Sequence, residues 1–342
     1  MKNINLVSDT ATRPTPEMLK FMMNAEVGDD VFRADPSVNE LEEKAANMFG
    51  MESALFCPSG TMTNQIAIKT HTQALDEVIC HEYSHIYQYE TGGYAFNSGV
   101  ALSLLQGPHG KITAKQIEEN IRPVYDWLPI TKMVSLENTV NKAGGSYYTI
   151  EEINPITALC KERKLKLHLD GARIFNALTE TQESTQSVGK LFDSISICLS
   201  KGLGAPVGSL LLGTEEFIRQ SRRYRKVMGG GMRQAGYLAA AGLYALENNL
   251  SRLKEDHQHA ESLAQCLKQR SYTENVLFYG TNIIFFDIKG KYTVESFINS
   301  LDQQNIQAVP LGKNTVRFVT HLDVSNKMID RVISVLEKME NK

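Results

Sequence analysis

Several absences narrow this 342-residue chain before any motif is read. Its five cysteines, Cys57, Cys80, Cys160, Cys198 and Cys266, are odd in number, far apart and never in a CxxC pair. That argues against a disulfide framework and against a thiolate zinc site. No apolar run approaches the roughly 18 residues of a spanning helix. The polar start, Met1-Lys2-Asn3-Ile4-Asn5, lacks the apolar core of a signal peptide. A net charge of −3 gives no electrostatic reason for a nucleic-acid or anionic-membrane partner. The expectation is a soluble cytoplasmic chain. Internal repeats and low-complexity segments are also missing.

What is present is a series of short apolar runs separated by helical patterns. Strands are predicted at Ala54–Cys57, Glu77–Cys80, Ala101–Leu104, Met133–Leu136, Lys166–Leu169, Ser194–Leu199 and Ser209–Leu212. Helices are predicted from Val38 to Phe49, with Ser37 as cap and Glu40 completing a capping box, and from Ile150 to Arg163. Such alternation points to a mostly parallel sheet covered on both faces. Beyond one long amphipathic stretch, Ala235 to Gln269, the strands Asn282–Phe286 and Val316–Val319 suit a smaller α+β domain. The expected division is 1–249, an N-terminal arm with a large cofactor-binding domain, and 250–342, a small C-terminal domain.

Two runs carry chemistry. Leu167-His168-Leu169 ends in Asp170, followed by Gly171-Ala172-Arg173; some thirty residues later Leu199-Ser200 leads into Lys201-Gly202-Leu203-Gly204. A carboxylate after one strand and a lysine among small residues after another are what pyridoxal phosphate requires, one for its pyridine nitrogen and one for its Schiff base. Either residue alone reads as an ordinary strand end or turn; together they favour the cofactor.

Pro58-Ser59-Gly60-Thr61 is a strand-to-helix turn whose N–H groups and hydroxyls can cradle a phosphate, although a plain capped helix start fits the same letters. Gly229-Gly230-Gly231-Met232-Arg233, after Arg222-Arg223-Tyr224-Arg225-Lys226, is basic and costly to order. Arg233 or Lys226 can add charge to that phosphate, across a subunit interface included. His81-Glu82-Tyr83-Ser84-His85 matches the H-E-x-x-H zinc pattern, but that motif needs one helix under both histidines. Here it follows directly on a strand, so no metal is expected. His85 is instead placed to stack on the pyridine ring and act as the base, a neutral imidazole being matched to near-neutral pH. Arg317, alternating against apolar neighbours, and Arg173 are candidates for a substrate carboxylate, with structural ion pairing as the alternative.

In this order and over nearly the whole chain, the motifs resemble the low-specificity L-threonine aldolases, fold-type I enzymes of the aspartate-aminotransferase-like superfamily. They comprise Ser8-Asp9-Thr10, Gly28-Asp29-Asp30-Val31, Pro58-Ser59-Gly60-Thr61, Ser135-Leu136-Glu137-Asn138-Thr139, Asp170 to Asn176, Ser200-Lys201-Gly202-Leu203, Gly229 to Gln234 and Arg317 to Asp323. The resemblance implies an α/β large domain with a mostly parallel sheet plus a small α+β C-terminal domain. It implies Lys201 as the Schiff-base lysine, Asp170 as pyridinium partner, His85 on the ring, and Ser59, Gly60 and Thr61 at the phosphate. Ser8, Arg173 and Arg317 match the substrate-carboxylate residues, and Arg233 matches a phosphate contact from a neighbouring subunit of a homodimer or homotetramer. The implied reaction splits threonine or allo-threonine into glycine and an aldehyde; a β-eliminating lyase or a non-catalytic cofactor binder are the alternatives.

Four positions depart from the pattern: Trp127 or its neighbours replace a second histidine, Val140 replaces the histidine after Glu-Asn-Thr, Phe32 a tyrosine and Arg33 a glycine.

Overall fold

The computed structural model describes residues 3–340; Met1 and Lys2 of the polar start lie outside the described residues. In chain order the strands are β1 (Ile4–Asn5), β2 (Ser53–Cys57), β3 (Asp76–His81), β4 (Ala101–Leu105), β5 (Ile130–Glu137), β6 (Lys166–Gly171), β7 (Ser194–Cys198), β8 (Ser209–Gly213), β9 (Thr273–Leu277), β10 (Ile283–Ile288), β11 (Ile306–Gln307), β12 (Val309–Pro310) and β13 (Thr315–Val319).

Seven of them form the main sheet in the order β2-β8-β7-β6-β5-β3-β4. β8 alone runs against its neighbours. Every residue of β3, β7 and β8 is buried, as both faces are covered by helices. That explains the apolar centres of β3 (Val78-Ile79-Cys80) and β8 (Leu210-Leu211-Leu212). The serines of β7 are buried only because they are paired: Ser196 Oγ lies 2.6 Å from Thr63 Oγ1 and Ser194 Oγ 2.8 Å from His168 Nδ1.

The C-terminal layer is an antiparallel sheet, β12-β13-β10-β9, with helices Leu253–Lys268 and Asn326–Glu340. β1 pairs in parallel with β11, and Ile4 and Leu6 pack in the same core as Leu263, Phe286, Phe297 and Phe318. The N-terminal strand thus sits with the C-terminal layer, which brings Ser8 and Asp9 to the seam between the two cores.

One local expectation is corrected. The helix expected over Val38–Phe49 runs from Pro36 to Phe49 and is capped by Asp35, not Ser37. Pro36 is favoured in the first turn because it has no N–H to lose. The Asp35 carboxylate accepts from Val38 N at 3.1 Å, Gly28 N at 3.1 Å and Gly236 N at 2.8 Å, whereas Ser37 Oγ donates to the Glu26 carbonyl. The stretch 235–269 is two helices, Gly236–Asn248 and Leu253–Lys268. The break is tertiary: Asn249 Nδ2 donates to the Leu203 carbonyl at 2.7 Å.

Candidate active site

The expected site residues gather at the carboxyl edge of the main sheet, where ligands bind in open α/β folds. After β2, Ser59 caps helix Gly60–His71 by accepting from Met62 N. The first-turn N–H groups of Gly60 and Thr61 have no helical partner. Gly60 has to be glycine: a Cβ there would lie 2.7 Å from Cys198 Sγ. The triple-glycine loop packs against the same helix, since a Cβ on Gly230 would meet Met62 Sδ at 2.3 Å. Arg233 itself points to the exposed rim, its Nη1 2.8 Å from Asp29 Oδ2. Arg33, where the aldolase pattern has glycine, takes φ +58°, a left-handed conformation that costs a side-chain-bearing residue about 1 kcal/mol.

His81 ends β3, while His85 opens a separate four-residue helix, His85–Gln88. The two histidines therefore do not share the helix that the zinc motif needs. His85 Nδ1 lies 2.9 Å from Glu90 Oε1. Since a carboxylate only accepts, Nδ1 carries the hydrogen and Nε2 is left free. Burial opposes the imidazolium, but the hydrogen bond that Glu90 accepts and the charges of Asp170 and Glu90 outweigh it and raise the His85 pKa above its ordinary value.

Asp170 is buried near the end of β6. Asn64 Nδ2 donates to Asp170 Oδ2 at 2.8 Å and to Glu90 Oε1 at 2.9 Å, so one amide ties together the two acids beside His85. Gln65 Nε2 completes the shell of Glu90 at 2.6 Å. One donor atom each from His85, Glu90 and Asp170 lie within 4.8 Å of one another. The network continues away from the site. Burial holds His168 down to about 4 and His71 to about 3, so both are neutral at pH 7. The donors then run one way: His71 Nε2 to Ser194 Oγ, Ser194 to His168 Nδ1, His168 Nε2 to Asn64 Oδ1, and Asn64 to Asp170.

Lys201 follows β7 in a turn, half-buried. Its carbonyl accepts from Thr12 Oγ1 at 2.9 Å and Gly204 N at 2.8 Å, and Gly204 takes φ +80°. Glu137, at the end of β5, accepts from His85 N and Asn141 N, both at 2.8 Å. Burial and the charge of Asp170 push its pKa up to about 7.

Opposite this edge, at the seam, Arg173 forks onto Asp9: Nε to Oδ2 and Nη2 to Oδ1, both 2.7 Å. Burial alone would raise the Asp9 carboxyl, but Arg173 outweighs it and holds the group well below the usual carboxylate range, with Lys201 contributing. Arg317 donates from Nη2 to the Val7 carbonyl at 2.9 Å, and its buried Nε has no partner among the described residues. The two arginines meet on one neutral atom, Asn141 Oδ1, at 3.4 Å from Arg173 Nη1 and 3.2 Å from Arg317 Nη1. Ser8 adjoins this seam, capping the 3-10 turn Asp9–Ala11.

The structure thus sets Lys201, His85 and Asp170 at the sheet edge facing Arg173 and Arg317 at the seam, and leaves Arg233 at the rim. Trp127 is exposed and stacks on Tyr125, and Val140 is buried in the main core. Sequence reasoning missed Asn64, Glu90 and Asn141 as site residues; Asp9 and Glu137 lay inside quoted motifs without a role.

A buried carboxylate with a single side-chain donor among the described residues, an amine in the turn after the neighbouring strand and a helix N-terminus with no room for a Cβ fit pyridoxal phosphate. The fold and this residue set define a fold-type I, aspartate-aminotransferase-like enzyme. A family model described as Beta-eliminating lyase matches residues 5–289, and the chain belongs to that family. It is 40% identical to the probable low-specificity L-threonine aldolase 2 of Arabidopsis thaliana, over 99% of this chain and 98% of that protein. It is 40% identical to the low specificity L-threonine aldolase of Escherichia coli K12, over 96% and 97%. The structure of Leishmania major threonine aldolase superposes with a TM-score of 0.84 at 23% identity, over 98% of this chain and 99% of that one; this last likeness speaks to the fold.

Proposed function

We propose that the chain is a pyridoxal-phosphate-dependent aldehyde-lyase that cleaves L-threonine, L-allo-threonine and related β-hydroxy-α-amino acids to glycine and an aldehyde. The observation that carries this reading is the charge at the seam. Arg173 and Arg317 bring two positive charges, Asp9 returns one negative, and Asn141 offers only a dipole. One positive charge is left over, which suits a single carboxylate held beside His85 and Lys201.

Lys201 would hold the cofactor, Asp170 its ring nitrogen, and Ser59, Gly60 and Thr61 its phosphate. When bound, the cofactor supplies an electron sink for the pair released at Cα. Arg173, Arg317 and Ser8 fix the substrate carboxylate, and that placement decides which bond at Cα is presented for cleavage. His85, locked on Glu90 through Nδ1, has Nε2 free to take the β-hydroxyl proton. Because its pKa is raised, the competent neutral form grows as pH rises past the ordinary imidazole range. Activity should therefore climb on the alkaline side of neutrality, and a pH–rate profile flat from 6 to 9 would remove His85 from that role.

We further infer a homodimer or homotetramer in which Arg233, steered by Asp29, serves a neighbouring subunit's phosphate. No helix among the described residues is long and apolar enough to cross a membrane. Five free, buried cysteines support the cytoplasm as the compartment.

The test is product identification after incubating the cofactor-loaded protein with L-threonine and, separately, L-allo-threonine. Equal amounts of glycine and acetaldehyde are expected. Ammonia and 2-oxobutyrate would instead make it a β-eliminating lyase, the reaction in the family's description.

A further inference from the structure

The two arginines of the seam are unequally committed. Arg173 has its Nε and Nη2 edge fully used by Asp9, leaving Nη1 as its outward donor. Arg317 keeps Nη1 and Nε, the latter buried and without a partner among the described residues. Burial and the like charge of Arg173 disfavour the Arg317 cation, so this pair is short of negative charge. Yet the atom both reach is a neutral amide oxygen, Asn141 Oδ1, held at the long end of hydrogen-bond distance by each. The backbone of Asn141 does not share this looseness: its N–H donates to the buried Glu137 carboxylate at 2.8 Å. The main chain is anchored and the side chain is the part free to turn.

From this juxtaposition we infer that the Asn141 side chain is a placeholder for the substrate carboxylate: its amide oxygen occupies the arginine pair until an amino acid displaces it. The inference rests on the amino-acid reading above and adds to it a residue that sets how readily the site opens. An amide oxygen is a good temporary occupant for a physical reason. It satisfies part of the donor capacity of two buried guanidiniums, which would be costly to leave bare. It carries no charge, so an incoming carboxylate always outcompetes it, charge-assisted hydrogen bonds being roughly twice as strong as neutral ones. The anchored backbone keeps the displaced side chain near the substrate, and through the other oxygen of Glu137 it is tied to the His85 backbone.

The test uses the cofactor-loaded enzyme and two variants. Asn141→Asp installs a permanent carboxylate in the pair. It should weaken glycine binding, measured by calorimetric titration, by about 100-fold. KM for L-threonine should rise in parallel while kcat stays within about threefold. Cofactor content should be unchanged, and the melting temperature in the absence of amino acid should not fall. Asn141→Ala removes the occupant without supplying a charge; its glycine affinity should stay within about threefold of the unmodified protein or tighten. Glycine binding by the Asn141→Asp protein as tight as the unmodified protein's would overturn the inference. So would a loss beyond tenfold in the Asn141→Ala protein, which would make Asn141 a direct substrate contact instead. If the unmodified holoenzyme binds neither glycine nor L-threonine, the amino-acid reading itself fails, an outcome distinct from either variant result.

Discussion

The two sides of the site are built to opposite specifications. On the sheet side, Asp170, Glu90 and His85 are held by Asn64 and Gln65, and the chain of donors runs back through His168 and Ser194 to His71. Nearly every polar atom there has a partner inside the protein. On the seam side, Arg317 Nε has none among the described residues, and two arginines share one amide oxygen. A resident group needs a rigid, fully satisfied frame, because an incompletely paired buried network is costly. A transient ligand needs donors left open, because only unmet capacity can be converted into affinity on arrival. On the proposed reading, the difference separates what the chain keeps from what it turns over.

The largest test of that division is Lys201→Ala. The sheet side then loses the amine proposed to hold the cofactor, and multiple turnover should fall by at least about 1,000-fold in a steady-state assay. Near-normal turnover would dissolve the distinction between the two sides.

The seam can be split next. Arg317→Leu should raise KM about 100-fold with cofactor content and melting temperature almost unchanged. Arg173→Leu should behave differently, because it strands Asp9 without its partner in the core; breaking such a pair costs about 3–5 kcal/mol. Urea denaturation should expose that loss for Arg173→Leu alone. Equal destabilisation by both substitutions would mean that Arg317 is structural as well.

A smaller effect is expected from Asn64→Ala. It frees both acids without touching the seam, so kcat should drop about 10- to 100-fold through misplacement of Asp170 and His85, with KM within about threefold. A KM effect larger than the kcat effect would show that the two sides are mechanically coupled.

The sheet side was legible in the sequence to the extent that it is written in contiguous letters. Buried parallel strands leave apolar runs, and their ends mark Asp170 and the approach to Lys201. Ser59-Gly60-Thr61 was legible for the same reason. The seam is drawn from positions 9, 141, 173 and 317, which no periodicity links. Arg173 and Arg317 could be proposed from their chemistry, but the Asp9 pairing and the shared Asn141 oxygen exist only after β1 has crossed to β11. Asn64 and Glu90 were hidden by type: an amide inside a helix and an acid after a short one read as surface until burial shows otherwise. Asp35 displaced Ser37 as a cap because three N–H groups from distant segments converge on it, a tertiary reason invisible to a local pattern.

Glu137 stands between the sides, with one oxygen on His85 N and the other on Asn141 N, and its titration offers the finest test. Its pKa in the folded protein is raised to about 7 from 4.5, chiefly by burial and then by Asp170. The folded state therefore holds a proton that the unfolded chain has released between those values. Its contribution to stability is fully present below pH 4.5 and is lost as pH rises through about 7. Over that window the slope it adds is at most about 1.4 kcal/mol per pH unit, that of one proton. Glu137→Gln cannot titrate, so urea unfolding of the cofactor-free protein at pH 5 and pH 7.5 should show a weaker decline with pH than the unmodified chain. If the two declines match, Glu137 is ionised throughout. The clasp between the two loops would then be a full carboxylate, and a resident cationic group rather than a proton would have to balance it.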